Sequence, residues 1–515
     1  MKKRIGILAL NILILIAIVG WRRMSELTTI FGSDVISQEK VSEIIKNKVI
    51  NEEIDIYFND CLVPLMDEKN TILLSQKDDD LYYGNLSSMG YIVNVVKPTN
   101  DKKYLMFNNL PLQVLVYNEN EYKIFDIKMT NLPIISMNPQ SYEYDIYRDG
   151  SEYEIVTGTL SLFNSNDDNN AAFEIYTGNC IYHIRGAGSR VFPKQSFKLN
   201  MIDSNGDAKD VEFLGMRKDN DWNLNAMYLD ETKVREKIAY SFWNEMNTTT
   251  KHQSEYVELI IDGRYRGLYL LQEPSDHITF KSKKNKDFLY ATKLWQYQVE
   301  EINLYNDSIF EEHNEMIDEY EIKKSEDIDY NKAVSVLREI DQDLYAEFTT
   351  LNYDIASYIN HELLINMIGA ADNHYKNQIF VARKENNNYT IEKTAWDLDL
   401  SIGEDQYENR IIKVDEIVKE EFIPISIKNN PTYRKSVCEK YNLYRNSFYN
   451  MMYIENLIKH YTNTIEKGGS ILRDMERWGI EKKYSDEIEY IKNYFKYRIE
   501  ILDEYYSNLI KEYEK

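Results

Sequence analysis

Basic charge, cysteine and linker residues are what this 515-residue chain has little of. Lys and Arg number 61 against 85 Asp and Glu, a formal charge of −24 spread along the chain rather than gathered in a tail. A protein that tracks a phosphate backbone needs a basic face to displace counterions, so general nucleic-acid binding is disfavoured. The three cysteines, Cys61, Cys180 and Cys438, stand far apart with no C-x-x-C spacing, which excludes a cysteine-built zinc site and a dense disulfide framework. With 9 Pro and 19 Gly there is little flexible linker, and no internal repeat or low-complexity tract is visible. Hydrophobic residues, at 43%, suffice for roughly three domain-sized units, and 42 tyrosines imply tight, tyrosine-lined packing.

The amino terminus carries a targeting signal. Lys2-Lys3-Arg4 precedes an apolar run from Ile5 to Trp21, interrupted by Asn11 and followed by Arg22-Arg23. As a helix that run would span about 26 Å, within the range of a membrane segment. No small-residue cleavage site follows it, so the expectation is a retained single-pass anchor over 1–23 with the bulk of the chain outside the cytoplasm.

From about residue 53 the pattern becomes short and alternating, as in Ile54 to Phe58 and Leu112 to Tyr117, and turn residues separate the runs. This predicts a β-rich accessory domain over 24–140. A second β-rich block begins at about 141 and includes Cys180 to Ile184. A helix is expected over 229–246 with Asp230 near its start, then a hairpin of Tyr256–Ile261 and Tyr265–Leu271 joined by Asp262-Gly263. Residues 282–345 are strongly charged and read as exposed helix and loop. A helix follows over 353–369, and two long tyrosine-rich helical stretches, 432–466 and 475–512, close the chain. The order of elements, β then mixed then α, predicts a two-lobed α+β body.

Two constellations could carry chemistry. Arg185-Gly186-Ala187-Gly188-Ser189-Arg190 is a glycine-containing turn leaving a strand, with Lys194 and Lys198 on the segment that returns. Backbone N–H groups in such a turn can cradle phosphate and a lysine can neutralise it; a hairpin turn bearing solvent-facing cations is the alternative. The second constellation is Asp372 to Asn377 at the end of an apolar helix, then two strand-like runs, then Trp396-Asp397-Leu398-Asp399. An Asp, an Asn five residues on, a hairpin and another Asp is the order in which kinase-type phosphotransferases place an acceptor-orienting carboxylate and two magnesium ligands. His361-Glu362 begins a zinc-protease helix, but Ile365 stands where the second histidine must be, and that motif is excluded.

Taken in order, these segments resemble the CotH family of spore coat protein H-like atypical kinases. The resemblance runs through Ile184 to Leu199, Trp222-Asn223-Leu224 with Tyr228, Asp230 and Arg235, the hairpin from Tyr256 to Glu273, Asp372 to Asn377, and Trp396 to Asp399 with Gly403, about residues 180–405. It implies an atypical bilobal protein-kinase-like fold over 141–515, with a helical C-terminal lobe, and transfer of phosphate from ATP to protein Ser or Thr. It also implies a set of roles. Lys198 would contact phosphate beside Arg185, Gly186, Gly188 and Ser189; Asp372 would orient the acceptor; Asn377 and Asp397, with Asp399 as a second carboxylate, would hold Mg²⁺ or Mn²⁺. Trp396 would either stack on adenine or pack in the core, and Arg235 would either reach the phosphates or pair with a carboxylate across the cleft. The family departs from this chain at Ala187-Gly188, where polar residues are usual. The acceptor expected is a spore-coat or cell-surface protein; a cell-wall polymer or small molecule is open to the same residues. A non-catalytic surface or spore-coat scaffold of the same fold is the competing expectation.

Overall fold

A computed structural model describes residues 28–513 apart from 68–69, 147–151, 166–172, 187, 247–249, 284–285, 293–315, 318–319, 324–327, 371–372, 374–376, 404–416 and 418–421. The expected anchor over 1–23 lies outside the described residues. Among those described, no helix is long and apolar enough to cross a membrane.

The first described region is a seven-stranded sheet whose longest strands are β1 (Thr71–Ser75), β2 (Ile92–Val96), β3 (Leu112–Tyr117) and β4 (Glu121–Thr130). Two short helices accompany it, α1 (Gln38–Ile45) and α2 (Lys102–Phe107), capped by Ser37 and Asp101, whose side chains accept from Lys40 N and Tyr104 N. The alternating run at Leu112–Tyr117 forms the expected strand. The one at Ile54–Phe58 pairs only at Tyr57–Phe58, because Ile54 and Ile56 turn into the core beneath the sheet.

Period-two alternation further along closes into a seven-stranded barrel: β5 (Ile134–Ile146), β6 (Glu152–Phe163), β7 (Glu174–Arg185), β8 (Ser196–Ile202), β9 (Asp221–Asn225), β10 (Ser254–Ile261) and β11 (Arg264–Gln272), in spatial order β5-β6-β7-β8-β9-β11-β10. The parallel pairing of Ile134 with Glu258 closes it. Leu199, Trp222, Leu224, Leu259 and Leu271 point inward and are fully buried. The residues between them point outward, and those of β7, β8, β9 and β11 form the wall on which the site is built.

Helix α3 (Arg235–Met246) packs on that wall, starting six residues later than its sequence pattern predicts. The delay has a local cause. Asp230 accepts from Thr232 N and, at 2.9 Å, from Arg235 N, and Lys233 takes a left-handed φ of 59°, so a turn precedes the first helical residue. The charged region 282–345 also departs from expectation. It holds a fully buried strand, β12 (Phe288–Thr292), then β13 (Tyr320–Ile322) and helix α4 (Tyr330–Tyr345), whose Ala333, Val336, Leu337 and Ile340 are buried. Five apolar or β-prone residues are enough for a strand but too few to stand out among so many charges.

Helix α5 (Ile355–Ile368) starts at Asp354, which accepts from Ala356 N and Ser357 N, and stops at left-handed Gly369. The hairpin β14 (Ile379–Glu385) and β15 (Asn388–Thr394) joins β12 and β13 in a six-stranded sheet. The expected long C-terminal helices are four: α6 (Pro431–Arg445), α7 (Met451–Glu466), α8 (Ser470–Trp478) and α9 (Tyr484–Tyr513), broken in part by left-handed Gly469 and Gly479. They share the largest core with α3, α4, α5 and the second sheet, and buried Tyr441 and Tyr506 stack within it at 4.3 Å. The described residues thus form a mixed α+β body.

Candidate functional site

The outward residues of the barrel wall line up by register. His183 pairs with Lys198, Lys198 with Asn223, and Asn223 with Gln272, a polar row across four strands; one step along, Arg185 pairs with Ser196. Asn223 and Gln272 are buried, whereas His183, Arg185 and Lys198 are half-buried. Lys198 forms an ion pair with Asp221 on β9, whose carboxyl burial pushes up while Lys198 pulls it down. Burial, with Lys198 and Arg185 nearby, lowers the pKa of His183.

Between β7 and β8 the chain leaves the wall. Gly186 takes φ 108°, where Ser189 Oγ leaves no room for a Cβ, and Gly188–Val191 form a single 3₁₀ turn. Lys194, expected to return toward this loop, instead buries its ammonium against Leu268 O and Asp474 Oδ1, each at 2.6 Å.

The second constellation assembles through the β14–β15 hairpin. Ile379 faces Thr394 at its open end, so Asn377 and Asp397 lie on its two arms, side by side beyond the last rung. Both adopt left-handed backbones, φ 57° and 56°, a conformation that Asn and Asp reach more readily than other non-glycine residues. Asn373 is fully buried and donates through Nδ2 to Asn377 O (3.2 Å) and Trp396 O (2.7 Å), stapling the two arms together. Asp372, between Ala371 and Asn373, lies outside the described residues.

Helix α3 joins this end to the barrel wall. Asp397 N donates to Tyr240 Oη at 3.2 Å, and one turn earlier on the same face Glu236 accepts from Asn225 Nδ2 at 2.6 Å. Burial raises the Glu236 carboxyl to about 7; Gln272, Arg185 and Asn225 oppose the shift and Asp397 adds to it. The Tyr240 hydroxyl is raised well above its ordinary value, first by burial and then by Glu236 and Asp397, with Asp399 a smaller contributor. Glu236, Tyr240, Asn225 and Gln272 went unnoticed in the sequence. Asp221, Asn223 and Asn225, alternating with Trp222 and Leu224, were the available signal, since an outward amide on a covered wall needs a partner.

The other expected residues have definite places. Arg235 is buried, ion-paired with Asp230 at 2.6 Å and donating through Nε to Ile402 O at 3.3 Å, so the carboxylate it pairs with stands on its own turn rather than across a cleft as expected. Ile402 N donates in turn to Ile368 O at 2.6 Å, pinning the Asp397–Asp399 loop to the end of α5. Asp399 is half-buried and accepts from Leu400 N. Trp396 is half-buried on a small cluster of Phe280, Leu289, Ala291, Ile379 and Val381, with Lys323 Nζ 5.0 Å from its ring centre. Glu362 accepts from Tyr433 Oη and Arg434 Nη1, the use that the incomplete zinc-helix motif has here.

Asn377, Asp397 and Asp399 offer only oxygen donors, which suits a hard divalent cation such as Mg²⁺ or Mn²⁺. Among the described residues no cluster of three or more His, Cys, Asp or Glu is arranged for a metal by itself. A family model described as CotH kinase protein matches residues 182–502, about three-fifths of the chain. No curated protein matches it.

Proposed function

The chain belongs to the CotH kinase family, and we propose that it is an ATP- and divalent-metal-dependent protein kinase acting on Ser or Thr of spore-coat or cell-surface proteins. The observation that carries this reading is the placement of Asn377 and Asp397 on the two arms beyond the open end of one hairpin, with Asp397 tied through Tyr240 to the helix that carries Glu236. In this reading the barrel is the nucleotide lobe of a bilobal kinase-like fold and the helical part is the acceptor lobe. The apolar run from Ile5 to Trp21 supports an anchor that holds the enzyme at a membrane, with its bulk outside the cytoplasm.

Phosphoryl transfer demands positioning and charge neutralisation more than covalent help from the protein. Asn377 and Asp397 would hold the Mg²⁺ or Mn²⁺, with Asp399 as a further oxygen donor; the bound ion supplies positive charge to the phosphates. Arg185 and Lys198 add fixed positive charge from the wall, and the backbone of Gly186, Gly188 and Ser189 lies at the mouth of the same two strands. Asp372, one residue before the Asn373 staple, would orient the acceptor hydroxyl and take its proton. Trp396 offers a ring face to adenine at the edge of its apolar cluster.

The test is incubation of residues 24–515 with γ-labelled ATP and Mg²⁺ or Mn²⁺, following label into protein. Incorporation lost in folded Asp372→Ala and Asp397→Ala variants is the expected result. No incorporation with either metal into any acceptor class would move the chain to the scaffold reading.

A further inference from the structure

The glycine loop is held differently at its two ends. At its start, Arg185 is the last paired residue of β7. At its end, the chain runs through Phe192, whose ring stacks on Tyr228 at 5.4 Å, to Lys194, two residues before β8. A buried ammonium is tolerated only with charged and hydrogen-bonding partners. Lys194 finds them on two other elements: Leu268 O on β11 and Asp474 on α8, with the Tyr269 ring 4.8 Å away. Asp474 is fully buried and also accepts from Leu268 N at 2.9 Å. Its second oxygen lies 3.6 Å from Lys233 Nζ, in the turn that launches α3. Gly267 makes the approach possible, since at φ 114° a Cβ there would come within 3.1 Å of Lys194 Cε and 3.0 Å of Trp478 Nε1.

The residue before Asp474 faces the other way. Arg473 is buried and ion-paired with Glu258 of the barrel, and it donates through Nη1 to Asn109 Oδ1 at 3.1 Å, in the accessory region. Consecutive residues of one helix therefore hold the accessory sheet and the loop beside the nucleotide wall.

We propose that Asp474 is a positioning residue: through Lys194 and Lys233 it fixes the glycine loop and the start of α3, so that α8 sets nucleotide affinity through these two elements. The proposal deepens the kinase reading and rests on it. The experiment uses the full-length chain as Asp474→Asn, Lys194→Met and, for comparison, Glu476→Gln, whose carboxylate faces Asn109 and Lys128 of the accessory region rather than the loop. Each is assayed for MgATP binding, for KM and kcat of label transfer, for unfolding midpoint, and for trypsin cleavage after Arg190 under native conditions.

Expected for Asp474→Asn and Lys194→Met is MgATP affinity about tenfold weaker, KM raised in step and kcat within about threefold, with faster cleavage at Arg190. Glu476→Gln should match the parent. Folded variants with unchanged affinity and cleavage overturn the positioning role. A parent chain that binds no nucleotide overturns the kinase reading instead, and cleavage at Arg190 then decides whether the tether exists. If Asp474→Asn does not fold, Lys194→Met, which keeps an apolar stem against Tyr269, carries the same measurements.

Discussion

Two of the charged regions among the described residues are balanced in opposite ways. Around α8, Lys194 and Lys233 meet Asp474, and Arg473 meets Glu258, so every buried charge faces an opposite one at bonding distance or nearly so. Around the hairpin end, burial raises both the Glu236 carboxyl and the Tyr240 hydroxyl, Asp397 adds to each shift, and Arg185 is the cation that opposes it at Glu236. The first arrangement is complete within the protein and holds elements together. The second holds a buried carboxyl raised first by burial and bonded to the amide of Asn225 rather than to a cation, and such a group is a feature of sites whose work involves a further charge.

That contrast can be broken from either side. The largest expected effect is on stability: Arg473→Met leaves Glu258 buried without its partner and should lower the unfolding free energy by about 3–5 kcal/mol, read by urea denaturation. Next, Asp397→Asn should leave that midpoint in place while label transfer from ATP falls by about two orders of magnitude or more. A midpoint shift as large as that of Arg473→Met would show the cleft to be structural after all.

The third prediction concerns pH. Glu236 ionises near its ordinary value of 4.5 in the unfolded chain but only at about 7 in the folded protein. Its contribution to stability is therefore greatest below pH 4.5, declines by about 1.4 kcal/mol per pH unit as pH rises toward 7, and is level above. The difference in unfolding free energy between the parent and Glu236→Gln, measured from pH 4 to 8, should follow this course and flatten above 7. A flat difference throughout would mean that the carboxyl is better solvated than its burial indicates. Smallest is Trp396→Leu, which keeps the apolar cluster covered and should weaken MgATP binding by about three- to tenfold, measured by titration.

The hairpin that carries Asn377 and Asp397 was legible because its parts are local. A helix stop at Gly369, a strand-turn-strand pattern and flanking Asp and Asn residues all lie within some 30 positions, and Asn377 and Asp397 meet through that hairpin. Glu236 was not legible. One glutamate among so many becomes special only when α3 docks and brings it to Asn225, and no periodicity encodes that contact. Lys194 and Lys198 make the same point at shorter range. They stand four residues apart in a strand-like segment and look equivalent, yet β8 begins at Ser196, so Lys198 belongs to the wall while Lys194 precedes it and turns into the core. Their difference lies in the partner helix nearly three hundred positions away.

The β14–β15 hairpin also separates a place where residues can be added from the place where Asn377 and Asp397 stand. Its closed end, where Glu385 faces Asn388 and Asn386 supplies the left-handed turn residue, is exposed. Seven paired positions, on the order of 20 Å of ladder, separate that turn from Asn377 and Asp397. Residues added at the turn would lengthen the far end without shifting the near one. A fluorescent label or epitope inserted at this turn would therefore travel with the chain as a silent passenger.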